Sequence, residues 1–173
     1  MSSKIFINPG HGRPDPGAVG ATGLSESEVC FYVGNGAADY LRAAGYEVMV
    51  LQSDDLSGVI RKANGWGADV FLSIHCNSFH QPQANGTETL YHPASSKGLK
   101  LAQKVQNQLI KEFSLTNRGV KARTDLGVLN QTDMPAALAE MAFISNPAEE
   151  KLLSKEQDRW AKALARGVSD YYG

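Results

Sequence analysis

The sequence predicts a single α/β domain that covers residues 1–173, because short apolar runs alternate with amphipathic segments along its whole length. The chain is 42% hydrophobic and 20% charged, which is the composition of an ordinary globular protein with one sizeable core. No linker, repeat or low-complexity segment divides it. We therefore expect one domain in which strands and helices alternate.

In the first half of the chain, three predicted strands alternate with two predicted helices. The first helix begins at Ser25, which stands three residues before Glu28 as in a capping box, and ends at Gly45. Its predicted apolar face repeats at helical spacing and comprises Val29, Tyr32, Val33, Ala37, Tyr40 and Leu41. The strands are Ile5–Ile7, Tyr46–Leu51 and Asp69–His75, and the second helix is Leu56–Trp66.

The second half predicts three further strands, one long helix and a terminal helical region. Ser95 or Ser96 opens the long helix, and Asn146–Pro147 opens the terminal region. The strands are Thr87–Tyr91, a short one at Leu126–Leu129, and Ala136–Ile144.

The net charge limits which partners to expect, and the cysteine spacing limits which metal or redox motifs to expect. The formal net charge is −1, which gives no electrostatic reason to expect nucleic acid or an anionic membrane as the main partner. No segment has the pattern of a signal peptide or the length of a membrane span. Cys30 and Cys76 lack the spacing of a metal or redox motif, so we expect buried free thiols.

Two histidines follow apolar runs at equivalent places. His11 lies in the loop Asn8–Gly17, where glycines and prolines form a stiff turn after the first strand, and His75 ends the third strand. A lone histidine beside an apolar run is more often structural than a ligand. Two at the carboxyl ends of neighbouring strands favour a metal site, because imidazole is the commonest metal ligand.

A carboxylate near the start of the first helix would complete a set of three ligands. Glu26 and Glu28 are the candidates, although favourable placement in the first turn of a helix also explains an acidic residue there. Glu28 has a structural role as the capping-box partner of Ser25, which leaves Glu26 freer. His11, Glu26 and His75 would match the His₂Glu pattern of catalytic zinc sites, in which one position is left for water.

Glu140 interrupts the apolar strand Ala136–Ile144. A carboxylate in a buried strand is costly unless it is paired or lies beside a cation, and its pKa there suits a general base. The alternative is an outward-facing glutamate on an edge strand. Serine and cysteine nucleophiles are disfavoured, because the chain has no Gly-x-Ser-x-Gly elbow and because Cys76 should point away from the face that carries His75.

At these residues the sequence resembles the family-3 N-acetylmuramoyl-L-alanine amidases, which are zinc-dependent cell-wall enzymes. The resemblance covers nearly the whole chain in the family's order, through the segments Asn8–Gly12, Asp15–Gly20, Gly23–Val29, Ser73–Ser78, Gly86–Thr89, Asn117–Lys121 and Glu140–Asn146. It implies a twisted, mostly parallel sheet with helices on both faces, Zn²⁺ held by His11, Glu26 and His75, and Glu140 as the catalytic carboxylate. It also implies hydrolysis of the amide between N-acetylmuramoyl and L-alanine in peptidoglycan, with Asn77 as a candidate substrate contact.

Three features depart from the family's pattern. Asn8 stands where aspartate is usual, the stretch Leu51–Asp54 lacks an arginine, and Cys76 replaces a small alanine. The chain also lacks the regulatory helical insertion of some relatives and a wall-anchoring module, so we expect an open site in a monomeric catalytic domain that is either a bare enzyme or part of a longer protein. It would act at the bacterial cell wall, either as a remodelling autolysin or as a phage or spore lytic enzyme. A zinc peptidase and a non-catalytic wall-binding module are the alternatives.

Overall fold

The computed structural model describes residues 2–173 as three layers, with one six-stranded sheet between two sets of helices. The strands are β1 (Lys4–Pro9), β2 (Glu47–Val50), β3 (Val70–Asn77), β4 (Thr87–Tyr91), β5 (Asn117–Ala122) and β6 (Ala136–Phe143). The helices are α1 (Glu26–Ala43), α2 (Leu56–Trp66), α3 (Ser96–Glu112), α4 (Gly127–Asn130), α5 (Pro147–Lys155) and α6 (Gln157–Tyr172). The predicted α/β class is confirmed.

The strand order in the sheet is β2-β1-β3-β6-β4-β5. The first four strands of that order run parallel, β4 pairs antiparallel with β6, and β5 runs parallel to β4. The sheet is therefore mostly parallel, as predicted. Because β6 lies between β3 and β4, Glu140 does not lie on an edge strand.

Each face of the sheet carries its own apolar cluster. The larger cluster lies between the sheet and α1, α3 and α6, where the rings of Phe113 and Trp160 stack at 3.7 Å between centroids. The smaller one lies under α2 and α4, where Phe6 stacks on Phe71 at 5.4 Å. Within residues 2–173, no helix combines the length and the apolar character needed to cross a membrane.

The predicted helix starts are confirmed by their caps. Ser25 caps α1, and its Oγ accepts a hydrogen bond from the backbone N–H of Glu28 at 3.3 Å. Ser95, rather than Ser96, caps α3, and Asn146 caps α5. The terminal helical region consists of two helices, which meet at Glu156.

The sequence-based assignment is wrong at Leu126–Leu129, which forms the start of α4 and not a strand. The backbone N–H of Asn130 donates to the Leu126 carbonyl in a helical turn, and Val128 and Leu129 are buried under the sheet. A four-residue apolar run has no periodicity that separates a strand from a helical turn. The strand in this part of the chain is β5, which the sequence analysis passed over.

The buried apolar face of α1 is narrower than predicted. Val29, Val33 and Leu41 are fully buried, but Tyr32 is 55% exposed and Tyr40 is 37% exposed. Helical spacing predicts both tyrosines on the apolar face, but the structure places them at the surface.

Candidate active site

Three neighbouring strands of the sheet supply His11, His75 and Glu140. His11 lies two residues after the end of β1. Strand β1 pairs with β3, and the last residue pair between them is Pro9 with Ile74. On the other side of β3, His75 lies directly opposite Glu140 of β6. The parallel register therefore brings residues far apart in sequence to the same end of the sheet, as predicted for the two histidines.

Glu26, in the first turn of α1, joins the two histidines. Its Oε2 lies 3.1 Å from His11 Nε2, and its Oε1 lies 3.0 Å from His75 Nδ1. One ligand atom from each of the three residues lies within 4.8 Å of the others, which is the spacing of a group that could hold a metal ion. Glu28, the other candidate, is exposed and remains outside this group. The structure thus brings together the three predicted ligands.

Opposite charge stabilises this group. Burial raises the pKa of Glu26, but its hydrogen bonds to both imidazoles outweigh burial and bring the pKa to about 2. In return, the Glu26 carboxylate is the largest influence that raises the pKa of His11 to about 9, and Asp15 adds to it. A carboxylate that is 4% exposed is therefore held ionised between two imidazoles, in surroundings that favour positive charge.

The loop that carries His11 is held in an unusual conformation. His11 has a φ of 61°, in the left-handed region that costs a non-glycine residue roughly 1–3 kcal/mol. Its Nδ1 lies 2.9 Å from Asp15 Oδ2, so both ring nitrogens face a carboxylate. A carboxylate behind a metal-binding imidazole fixes its orientation and its tautomer. The sequence analysis did not assign this role to Asp15, although its position four residues after His11 was a signal.

Two glycines allow the ligands to approach one another. A Cβ atom at Gly10 would lie 2.5 Å from Cε1 of His75, and one at Gly17 would lie 2.6 Å from both Glu26 Oε2 and His11 Cδ2. Gly17 also has a φ of 66°, where a side chain is strained. The glycines of this loop therefore make space for the ligand set.

Two further polar side chains fix the same loop to its surroundings. Gln52 donates from Nε2 to the carbonyls of Gly10 at 3.1 Å and Ser27 at 2.8 Å, which ties the loop to α1. Asn8 is buried and donates from Nδ2 to the carbonyl of Leu51 at 3.0 Å, so it joins β1 to the end of β2. Asn8, which stands where the family usually has aspartate, thus links two strands, whereas Asp15 contacts the ring of His11.

Glu140 has a buried oxygen with no hydrogen-bond partner within the described residues, its Oε2. Burial raises the pKa of Glu140 to about 7, the negative charges of Glu26 and Glu88 add to the shift, and His75 opposes it. An unpaired buried carboxylate oxygen costs free energy, and such atoms cluster at functional sites.

Glu88 of β4 lies opposite Glu140 on the other side from His75. Burial raises its pKa, but Lys121 at 2.7 Å and Arg118 at 3.1 Å outweigh burial, and the pKa stays below its ordinary value. Its Oε1 accepts a hydrogen bond from Asn77 Nδ2 at 3.0 Å. The predicted substrate contact Asn77 therefore lies at the site with part of its amide already bonded. The sequence analysis missed Glu88, because the cations that pair with it lie on β5.

Cys76 points away from the two histidines, as alternation along a strand predicts. Its backbone N–H donates to Glu26 Oε1 at 3.1 Å, while its side chain is buried in the larger apolar cluster. Cys30 is buried in the same cluster, and both are free thiols, as predicted. On the other face, a cleft of about 250 Å³ opens over His11 and His75, with the start of α4 as its wall.

Comparison with known proteins identifies the family to which the chain belongs. Residues 5–170 match the family-3 model described as N-acetylmuramoyl-L-alanine amidase. The chain is 36% identical to the uncharacterised protein YqiI of Bacillus subtilis, over 97% of this chain and 84% of that protein. It is 32% identical to the N-acetylmuramoyl-L-alanine amidase AmiC of Neisseria meningitidis, over 96% of this chain but only 52% of AmiC. The solved structure of the amidase AmiC2 of Nostoc punctiforme superposes with a TM-score of 0.91 at 31% identity, over 98% of this chain and 97% of that one. The chain belongs to the family of N-acetylmuramoyl-L-alanine amidases.

Proposed function

We propose that this chain is a zinc-dependent amidase that hydrolyses the bond between N-acetylmuramoyl and L-alanine in peptidoglycan at the bacterial cell wall. The observation that carries the proposal is the placement of Glu140. Its Oε2 is buried and unpartnered, and its strand places it directly opposite His75 of the ligand set. A binding module has no use for such a carboxylate, whereas a hydrolase uses one to move protons.

The residues present fit a zinc ion. Two imidazoles and one carboxylate form the His₂Glu donor set of catalytic zinc sites. The carboxylate is ionised and buried, and Asp15 supports the ring of His11 from behind, as in metal sites generally. When bound, Zn²⁺ would lower the pKa of a coordinated water to roughly 7 and polarise the scissile carbonyl.

Glu140 moves the proton in this mechanism. Its Oε2 takes a proton from the water whose oxygen attacks the carbonyl carbon of the lactyl group. As the carbon–nitrogen bond breaks, the same carboxyl gives that proton to the alanine nitrogen. The products are a glycan that bears a free lactyl carboxylate and a stem peptide with a free amino-terminal alanine. Asn77 follows His75 by two residues and has one amide hydrogen that is not donated to Glu88, so we expect it to contact the peptide through that hydrogen.

The test is mass spectrometry of the soluble products from purified peptidoglycan, with and without a chelator. We expect intact stem peptides that begin with alanine, and we expect the chelator to abolish their release. Glu140→Gln should bind one zinc per chain and lose about 10²–10⁴-fold in rate. Glu47→Gln, at an exposed strand position far from the ligands, is the matched control and should keep the wild-type rate.

The other outcomes each contradict a different part of the proposal. Release of single amino acids would make the chain a peptidase. No release by a protein that binds one zinc per chain would make it a wall-binding module. A wild-type rate for Glu140→Gln would remove Glu140 from the mechanism, and undiminished activity without metal would remove zinc.

A further inference from the structure

A second groove adjoins the metal-binding cleft on the side of β2. It has a volume of about 720 Å³ and lies between the first turns of α1, the His11 loop and the segment after β2. Its lining includes Ser27, Phe31, Tyr32, Gln52 and Asp54. None of these residues belongs to the ligand set or to the proton-transfer machinery.

Two neighbouring aromatic side chains form part of its wall. Phe31 is 47% exposed and Tyr32 is 55% exposed, and their rings meet edge to face with centroids 5.3 Å apart. Helical spacing predicts Tyr32 on the apolar face of α1, but the structure exposes it. Single exposed apolar residues are common, whereas an exposed aromatic pair at the lip of a groove is typical of a binding surface.

The groove is continuous with the metal-binding cleft. Ser53 and Asp54 line both cavities. Asp54 Oδ2 accepts a hydrogen bond from the backbone N–H of Asp15, and the side chain of Asp15 contacts His11. A polymer whose scissile bond lies over His11 would therefore have part of its chain in this groove.

The charges of the lining favour a neutral ligand. The charged side chains in the lining are one cation, Arg13, and two carboxylates, Glu28 and Asp54. Hydroxyl groups of serines and the amide of Gln52 provide neutral polar groups. A pyranose ring combines a face of C–H bonds, which packs on aromatic rings, with a rim of hydroxyl and amide groups. Anionic polymers would meet a negative excess.

We propose that this groove binds an N-acetylated sugar of the glycan strand that flanks the muramoyl unit, with Phe31 and Tyr32 packed against the pyranose ring. The inference rests on the proposed function only for the identity of the polymer. In the sheet order, this groove lies on the β2 side of the ligands, and the Glu88 cluster lies on the β4–β5 side. The stem peptide would then extend toward β4 and β5.

The first measurement is calorimetric titration of the zinc-loaded chain with the tetrasaccharide of β-1,4-linked N-acetylglucosamine, which contains no scissile amide. We expect the wild type to bind it, Phe31→Ala/Tyr32→Ala to lose roughly tenfold or more in affinity, and Tyr32→Phe to retain it, because the ring is kept. Tyr40→Ala is the matched control, since Tyr40 is an exposed aromatic on the same helix but outside the groove. Thermal unfolding checks that each variant is folded.

The second measurement compares hydrolysis of two substrates, polymeric peptidoglycan and a single N-acetylmuramoyl peptide. The double variant should lose roughly tenfold in kcat/KM on the polymer, through KM, and keep its kcat/KM on the single-sugar substrate. Equal losses on both substrates, or oligosaccharide binding that is absent from the wild type or unchanged in the double variant, would overturn the inference. Oligosaccharide binding by a chain that cleaves neither substrate would instead refute the proposed function and leave the sugar site standing.

Discussion

Gly10 provides a sharp test of how the ligand set is assembled. An alanine Cβ at this position would lie 2.5, 2.6 and 2.8 Å from Cε1, Nδ1 and Nε2 of His75. Ordinary van der Waals contact begins at 3.4 Å, so the nearest ring atom would have to withdraw by about 0.9 Å, the difference between 3.4 Å and 2.5 Å. Ligand distances in metal sites vary by only about 0.2 Å. Gly10→Ala should therefore move His75 out of ligating position.

The expected result is a large loss of metal affinity with a modest loss of stability. Changes behind a ligand usually cost about 10–100-fold in metal affinity, so displacing the ligand itself should cost at least about 100-fold. An overpacked site costs about 1–3 kcal/mol of unfolding free energy, which a chain with this core tolerates. The assay is zinc content after dialysis against a series of zinc-buffered solutions, together with urea unfolding of the metal-free protein.

Gly65→Ala is the matched control, because a Cβ at Gly65 meets nothing within 4 Å and the residue lies in helix α2. It should leave zinc affinity unchanged and raise stability by up to about 1 kcal/mol. Wild-type zinc affinity in Gly10→Ala would refute the reasoning, since it would mean that the His75 ring is free to move or does not hold the metal.

Two other substitutions test the surroundings of the site. Asp15→Asn should lower zinc affinity by about 10–100-fold. The exposed control Asp39→Asn should leave zinc affinity unchanged. An unchanged zinc affinity in Asp15→Asn would show that Asp15 does not orient His11. Glu88→Gln should destabilise the fold at pH 7 by about 1 kcal/mol, because its two cations lose their partner. Since the folded-state pKa of Glu88 lies below its ordinary value of 4.5, that stabilisation is present above pH 4.5 and is lost as the pH falls toward the folded-state pKa. Urea unfolding of the wild type and Glu88→Gln at several pH values measures this stabilisation. A stability difference between the two proteins that does not depend on pH would contradict the prediction.

The ligand set could be predicted because local patterns and sheet topology agree. His11 and His75 each follow an apolar run, and parallel neighbouring strands must end at the same edge of a sheet. Glu26 could be separated from Glu28 because Glu28 stands three residues after Ser25, at the capping-box spacing. The structure agrees, since Glu28 is exposed and its backbone N–H donates to Ser25 Oγ. Glu140 was recognisable as a carboxylate in an otherwise apolar strand.

In the segments where prediction failed, the local sequence pattern does not agree with the place of the segment in the fold. Strand β5 is a polar edge strand, and only Gly119 and Val120 at its centre are partly covered. Edge strands often carry charged side chains, which removes the apolar alternation by which strands are recognised. Tyr32 satisfies helical spacing, yet it lies at the surface because the groove beside it leaves that part of α1 uncovered. Spacing reports which residues share a face, but it does not report what covers that face.

Three carboxylates converge on one end of the sheet, and their different surroundings separate their roles. Glu26 lies between two imidazoles and Glu88 is paired with two cations, so both carboxyl groups have pKa values below their ordinary range. Glu140 lies opposite Glu88, and its Oε2 has no hydrogen-bond partner within the described residues. A site that holds two carboxylates ionised and leaves a third without a counter-charge favours a cation beside the third. On this basis we propose metal ligation for Glu26, support of Asn77 for Glu88, and proton transfer for Glu140, because only a carboxyl group without a fixed partner is free to gain and lose a proton during turnover.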